Sequence, residues 1–257
     1  MSDQNPHKSK GWQVVIAATG INLALGVLYA WSIFKEAIVT SIKTGGPGAF
    51  QWELTSVGVP YAVSCLVFAF AMIIAGKAQD KIGPAKTALI GGLLVGAGFV
   101  LLGFTNSFAG WVLGFGVLAG AGFGFGYSAA TPPAIKWFSS AKTGLVAGIV
   151  VAGFGLAPVY IAPLAKFLLG HFGIQQSMLI LGICFLVIVC GLSFLLVNPP
   201  KGYVPREVLR GYYPALDAEK KKKEESNATV SEVLRSPKFY VLWLCFFIGA
   251  GAGLMVI

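Results

Sequence analysis

The sequence predicts an all-α membrane protein: a six-helix bundle, a cytoplasmic linker, and the start of a seventh helix. Three observations predict it. Of 257 residues, 56% are hydrophobic and 11% are charged, against roughly 25% charged in a soluble domain. The apolar residues collect in runs close to the ~20 that a spanning helix needs. The runs are joined by short lysine-bearing stretches, of which Gly76-Lys-Ala-Gln-Asp80-Lys81-Ile-Gly83-Pro-Ala-Lys86 is read as a tight charged turn. Two apolar runs joined by so few residues form an antiparallel pair of membrane helices.

Residues 1–11 are a polar tail, and the apolar run behind them is longer than the ~7–15 residues of a signal h-region. It is read as a retained anchor. The spans are expected at 12–34, 55–75, 87–104, 109–130, 144–165 and 176–197, so that 12–197 is one six-helix bundle. Residues 198–238 are the hydrophilic linker between bundles. Residues 239–257 open a seventh span that is still apolar at Ile257, which reads as a piece of a longer protein. With the N-terminus in the cytoplasm, 16 Lys and Arg fall inside and 3 outside, and this asymmetry sets the orientation.

The net charge of +9 lies between spans rather than on a foldable basic domain, which argues against nucleic acid as a partner. Cys65, Cys184, Cys190 and Cys245 all fall in apolar runs and are read as small core hydrophobes rather than disulfide or metal residues. In the linker, Lys220 to Lys223 precede Glu224 and Glu225. That run suits either a solvated linker helix or anionic lipid, at about 1 kcal/mol per basic residue near the surface. Trp12, Trp52, Trp111 and Trp137 are expected in the interfacial belt.

The six spans carry no Asp, Glu, Arg, Lys or His near mid-helix. A charge there is costly and is kept for function. This half therefore supplies shape, rings and hydroxyls, and an anionic substrate would find its positive partner elsewhere. No phosphate-binding G-x-x-x-x-G-K-[ST] loop is present, and no cluster of acids, His or Cys suits an enzyme; no catalytic group, metal or cofactor is expected. Gly116, Gly120 and Gly124, with Gly122 and Gly126, give the fourth span two smooth faces, one to pack a helix and one to clear room for a solute. Tyr29 and Tyr127 lie in mid-membrane and need hydrogen-bond partners, either a solute or a neighbouring carbonyl. Thr131-Pro132-Pro133 should end or kink the fourth helix. Pro158 and Pro163 break the fifth.

The turn Gly76-x-x-x-Asp80-Lys81-x-Gly83 resembles the loop between helices two and three of the major facilitator superfamily. It departs from the usual pattern at Pro84-Ala85, where basic residues are common. Three further stretches resemble the oxalate:formate antiporter and monocarboxylate transporter branch. They are Gly26-Val-Leu-Tyr29-Ala-Trp31-Ser-Ile-Phe34; Lys136-Trp137-Phe138 through Lys142-x-Gly144-Leu-x-Ala-Gly148 to Gly153-Phe-Gly155; and Leu234-Arg-Ser-Pro-x-Phe239-Tyr-Val-Leu-Trp243. The resemblance implies the six-helix N-terminal bundle of that superfamily. It also implies that Leu28, Tyr29, Tyr127 and Leu145 line the substrate cavity, Leu145 on the side that accepts a short alkyl group. Gly76, Asp80, Lys81 and Gly83 would gate the conformational change, Asp80 tying the two halves together. The carboxylate-binding arginine is implied for an eighth helix.

The implied activity is multi-pass, plasma (inner) membrane transport of small monocarboxylates such as lactate or pyruvate. It would run by proton symport and alternating access with a second six-helix bundle of the same chain. Oxalate/formate-type exchange is the nearest alternative. A non-transporting membrane receptor or scaffold on the same fold is the alternative of another class.

Overall fold

The computed structural model describes residues 10–46, 48–200, 202–205 and 230–254. Among them the chain is helical, with no strand. Four apolar runs are α1 (Gly11–Thr44), α2 (Leu54–Ile82), α3 (Pro84–Leu102) and α4 (Phe108–Lys136). A fifth run, Thr143–Ser193, is two helices: Gly173 takes φ 74°, ψ 178° inside it and reverses the chain. The pieces 143–172 and 174–193 are α5 and α6. These six helices belong to one unit, residues up to Phe138 together with Lys142–Pro205. The second unit, Ser139–Ala141 with Arg206–Ile257, contains α7 (Val230–Arg235) and α8 (Pro237–Leu254). In α7, Glu232 opens the helix and Arg235 closes it, the order that suits the helix dipole. The 220–223 lysine run, most of the 1–11 tail and the last residues of the seventh apolar run lie outside the described residues.

Small residues decide which helices meet in the bundle. On α3, a methyl on Gly92 would meet Val189 at 2.9 Å and one on Gly96 would meet Leu186 at 2.7 Å, so α3 lies flush on α6. On α4, Gly116, Gly120 and Gly124 face Val63, Ser64 and Ala71 of α2. Gly122 faces Val95 of α3, and Gly126 faces Leu25 of α1. Both smooth faces of α4 are therefore packing faces, and the expected solute-clearing face is not there. Phe34, Phe99, Phe115 and Phe123 fill the interior. Leu66, Phe70 and Ile73 of α2 and Ile183 and Val187 of α6 stand on the outside. An apolar exterior around a close-packed interior is what lipid as solvent demands.

Several local expectations are corrected. The turn is far shorter than 76–86: Gly76, Asp80 and Lys81 remain helical, α2 runs to Ile82, and Gly83 alone turns the chain at φ 86°, ψ 165°. Pro84 then occupies the first helical position, where its missing N–H costs nothing. α1 continues past Lys35 to Thr44 because helical hydrogen bonds do not require apolar side chains; its 34 residues span about 51 Å at 1.5 Å per residue, more than the hydrocarbon core. Pro132 and Pro133 lie inside α4 without ending it, and Pro158 and Pro163 lie inside α5 without breaking it, because only the one carbonyl four residues before each proline loses its donor. Within α4, Val112–Ala119 is wound as a π-helix, which no residue pattern announced. Trp52, Trp111 and Trp137 are buried rather than in a lipid belt; their indole N–H groups donate to the carbonyls of Asn106, Thr105 and Val197. Trp12 alone of the four is exposed, edge-on to Phe138. Cys184 and Cys245 are exposed and Cys65 and Cys190 half-buried, so none is a core residue.

Candidate functional site

One span loses α geometry at its middle, and it does so against a proline that sits inside another helix. In α1 the residues Gly26–Ala30 wind as a 3-10 helix. In α5, Pro158 has no N–H to give the Phe154 carbonyl. A methyl on Gly26 would run into that carbonyl and into Ala157, so only glycine lets α1 lie this close to α5. Mid-helix 3-10 winding of this kind often marks a functional segment.

Four rings from four helices gather there. Tyr29 of α1 meets Phe154 of α5 edge-on at 5.1 Å, and Tyr127 of α4 meets the same ring at 5.2 Å. Phe68 of α2 closes the group, 5.8 Å from Tyr127 and 6.3 Å from Phe154. Tyr127 and Tyr29 are near enough to interact electrostatically, as are Tyr29 and Cys65. Both tyrosines are half-buried, and neither hydroxyl makes a hydrogen bond among the described residues. The neighbouring-carbonyl alternative for these two phenols is therefore not what the structure holds.

Toward the end of the bundle opposite Gly83 lies a second polar group. Trp31 stacks on Tyr61 at 6.1 Å and packs on Phe115 at 4.5 Å. Trp31 Nε1, the Tyr61 hydroxyl and Ser64 Oγ are buried without hydrogen-bond partners; Tyr61 lies against the Cys65 thiol outside bonding geometry. Above them the loop after α1 folds back over the bundle. Trp52 Nε1 donates to the Asn106 carbonyl at 2.9 Å and Asn106 Nδ2 donates to the Gly48 carbonyl at 3.1 Å.

The structure thus brings Tyr29 and Tyr127 together around Phe154. It packs Leu28 into the core at 4% exposure, beside Tyr29 in sequence but outside the ring group. Leu145 is 60% exposed, nine residues before Phe154 and so about 13 Å along α5 at 1.5 Å per residue. Asp80 and Lys81 are exposed at the end of α2, and Asp80 makes no ion pair among the described residues. Phe68, Tyr61, Cys65 and Trp31 were missed. The only sequence signal for Phe154 was the pair of glycines flanking it. Among the described residues, no group of three His, Cys, Asp or Glu could hold a metal.

Comparison with known proteins agrees with this architecture. The chain is 28% identical over its whole length to the "Uncharacterized MFS-type transporter YhjX" of Escherichia coli, covering 58% of that protein. It is 24% identical over 97% of its length to the "Oxalate:formate antiporter" of Oxalobacter formigenes, covering 54% of it. It is 27% identical over 72% of its length to "Monocarboxylate transporter 13" of Bos taurus, covering 42% of it. The chain spans about half the length of the curated relatives it matches. The family model described as Major Facilitator Superfamily matches residues 14–257, and with nearly all of the sequence inside that match the chain belongs to the major facilitator superfamily.

Proposed function

We propose that this chain forms the first bundle of a secondary active transporter of small monocarboxylates of the lactate and pyruvate type, working by proton symport and alternating access. The observation that carries the reading is the pair Tyr29 and Tyr127, two phenols at mid-span, gathered on Phe154 and without hydrogen-bond partners among the described residues. A carboxylate oxygen accepts from both phenols, while the Phe68 and Phe154 rings suit a one- or two-carbon tail. The balancing positive charge and the proton relay belong to a second bundle, because the middle of this one is uncharged.

Leu28 and Leu145 shape the apolar wall in this reading. Gly76, Asp80, Lys81 and Gly83 gate the change of access, with Asp80 free on the α2 end to reach the second bundle. The protein lies in the plasma (inner) membrane with its N-terminus in the cytoplasm, on the lysine asymmetry. The names of the relatives, among them "Apicoplast pyruvate carrier 1" of Toxoplasma gondii, support the substrate class. The test is uptake of labelled lactate into vesicles holding the full-length protein, with and without an inward proton gradient. Gradient-driven uptake is expected; lactate entry that neither follows nor dissipates the gradient overturns symport. Exchange is the second reading, favoured by likeness to the oxalate:formate antiporter. It predicts uptake that depends on carboxylate preloaded inside the vesicle.

A further inference from the structure

The 3-10 stretch of α1 and Pro158 of α5 each leave a backbone carbonyl without its usual donor, and the first of them finds a donor on the other helix. In α1 the i→i−4 ladder ends with the Gly26 N–H on the Asn22 carbonyl. Leu23 is therefore the first carbonyl beyond that ladder, and the Tyr160 hydroxyl of α5 donates to it at 2.9 Å, 137 residues away in sequence. In α5, Pro158 frees the Phe154 carbonyl, and Gly26 lies against it. One turn earlier on α5, Asn22 Nδ2 donates to the Val150 carbonyl at 2.8 Å.

We propose that Tyr160 is a positioning residue for the monocarboxylate site: its hydroxyl pins the Leu23 carbonyl and so holds Gly26–Ala30, the stretch carrying Leu28 and Tyr29, in its tightened pitch. The inference rests on the proposed function. A 3-10 turn advances about 120° per residue and an α turn about 100°. Reversion of the stretch to α pitch turns Tyr29 by about 60–80° relative to Leu25, away from Phe154 and Tyr127. Tyr160 acts through α1 and touches no substrate in this account.

The experiment uses the full-length chain in vesicles and the isosteric substitution Tyr160→Phe. The expected result is an apparent lactate KM raised about three- to tenfold with maximal rate kept, beside the small fall in melting temperature that losing one interhelical hydrogen bond brings; a hydrogen bond of merely structural value lowers the melting temperature and leaves KM alone. Tyr29→Phe combined with Tyr160→Phe is expected to be no worse than Tyr29→Phe by itself. An unchanged KM, or additive losses in the double variant, overturns the proposal. A readout independent of transport is the rate of Cys65 alkylation by N-ethylmaleimide, with every other cysteine replaced. Cys65 lies beside Tyr29 and Tyr61, and Tyr160→Phe is expected to change that rate several-fold. When the parent protein takes up no monocarboxylate, the alkylation rate decides. A shift keeps the positioning role while the transport reading falls, and no shift overturns the positioning role as well.

Discussion

The Asn22 side-chain amide donates to the Val150 carbonyl across the α1–α5 seam, with Asn22 0% exposed. It is a polar clamp in the middle of an apolar interface. Asn22→Ala is expected to weaken the bundle by about 0.6–1.7 kcal/mol, the range of interhelical hydrogen bonds in membranes. Thermal unfolding in detergent measures this as a lower melting temperature. An unchanged melting temperature shows the clamp contributes nothing.

Tyr127→Phe removes one hydroxyl and no protein hydrogen bond. Folding is therefore expected to be unaffected, whereas affinity for a carboxylate falls. A hydrogen bond to a charged group is worth about 1.5–3 kcal/mol, so KM for lactate is expected to rise tenfold or more. Equal KM values in parent and variant remove Tyr127 from the site.

Gly124 of α4 differs sharply from Gly191 of α6. A methyl on Gly124 meets Ala71 Cβ at 2.7 Å and the Phe68 carbonyl at 2.8 Å, whereas one on Gly191 of α6 meets nothing within 4 Å. Gly124→Leu forces α2 and α4 apart, and overpacking of this kind costs about 1–3 kcal/mol or more. Gly191→Ala is expected to leave yield and melting temperature alone. Size-exclusion profiles of the two variants side by side check the contrast.

Gly83 and Asp80 separate strain from gating. At φ 86°, ψ 165° the Gly83 backbone lies in a region that is nearly glycine-only, so Gly83→Val is expected to cost about 1–3 kcal/mol and to lower the melting temperature. Asp80 is exposed and makes no ion pair in the bundle, so Asp80→Asn is expected to leave stability intact and reduce turnover. Transport rates at saturating substrate measure the second effect. A full-rate Asp80→Asn protein ends the gating role.

Much of the fold was legible because apolar length is a direct physical requirement of a bilayer. Six runs of near-spanning length fixed six helices and even the reversal near 173, where a polar gap interrupts hydropathy. Helix ends were misjudged where charge was taken for a break. Asp80 and Lys81 stay helical because water and headgroups solvate their side chains while the backbone keeps its bonds. The 3-10 stretch in α1 was illegible: Gly26-Val-Leu-Tyr-Ala has no residue that forbids α winding, and its pitch is set by Phe154 and Tyr160, more than 120 residues away. The tryptophans were misplaced for a related reason. Their indole donors were assumed to face headgroups, but loop carbonyls folded inward reached them first.

Gly173 joins α5 to α6 with one non-helical residue, leaving no slack between them. Any swing of α5 is handed at once to its neighbour, whose Ile183, Val187 and Ile188 point outward. In the proposed alternating access the surrounding acyl chains become a mechanical load on that swing, and bilayer thickness and stiffness act as a brake or an aid to its speed.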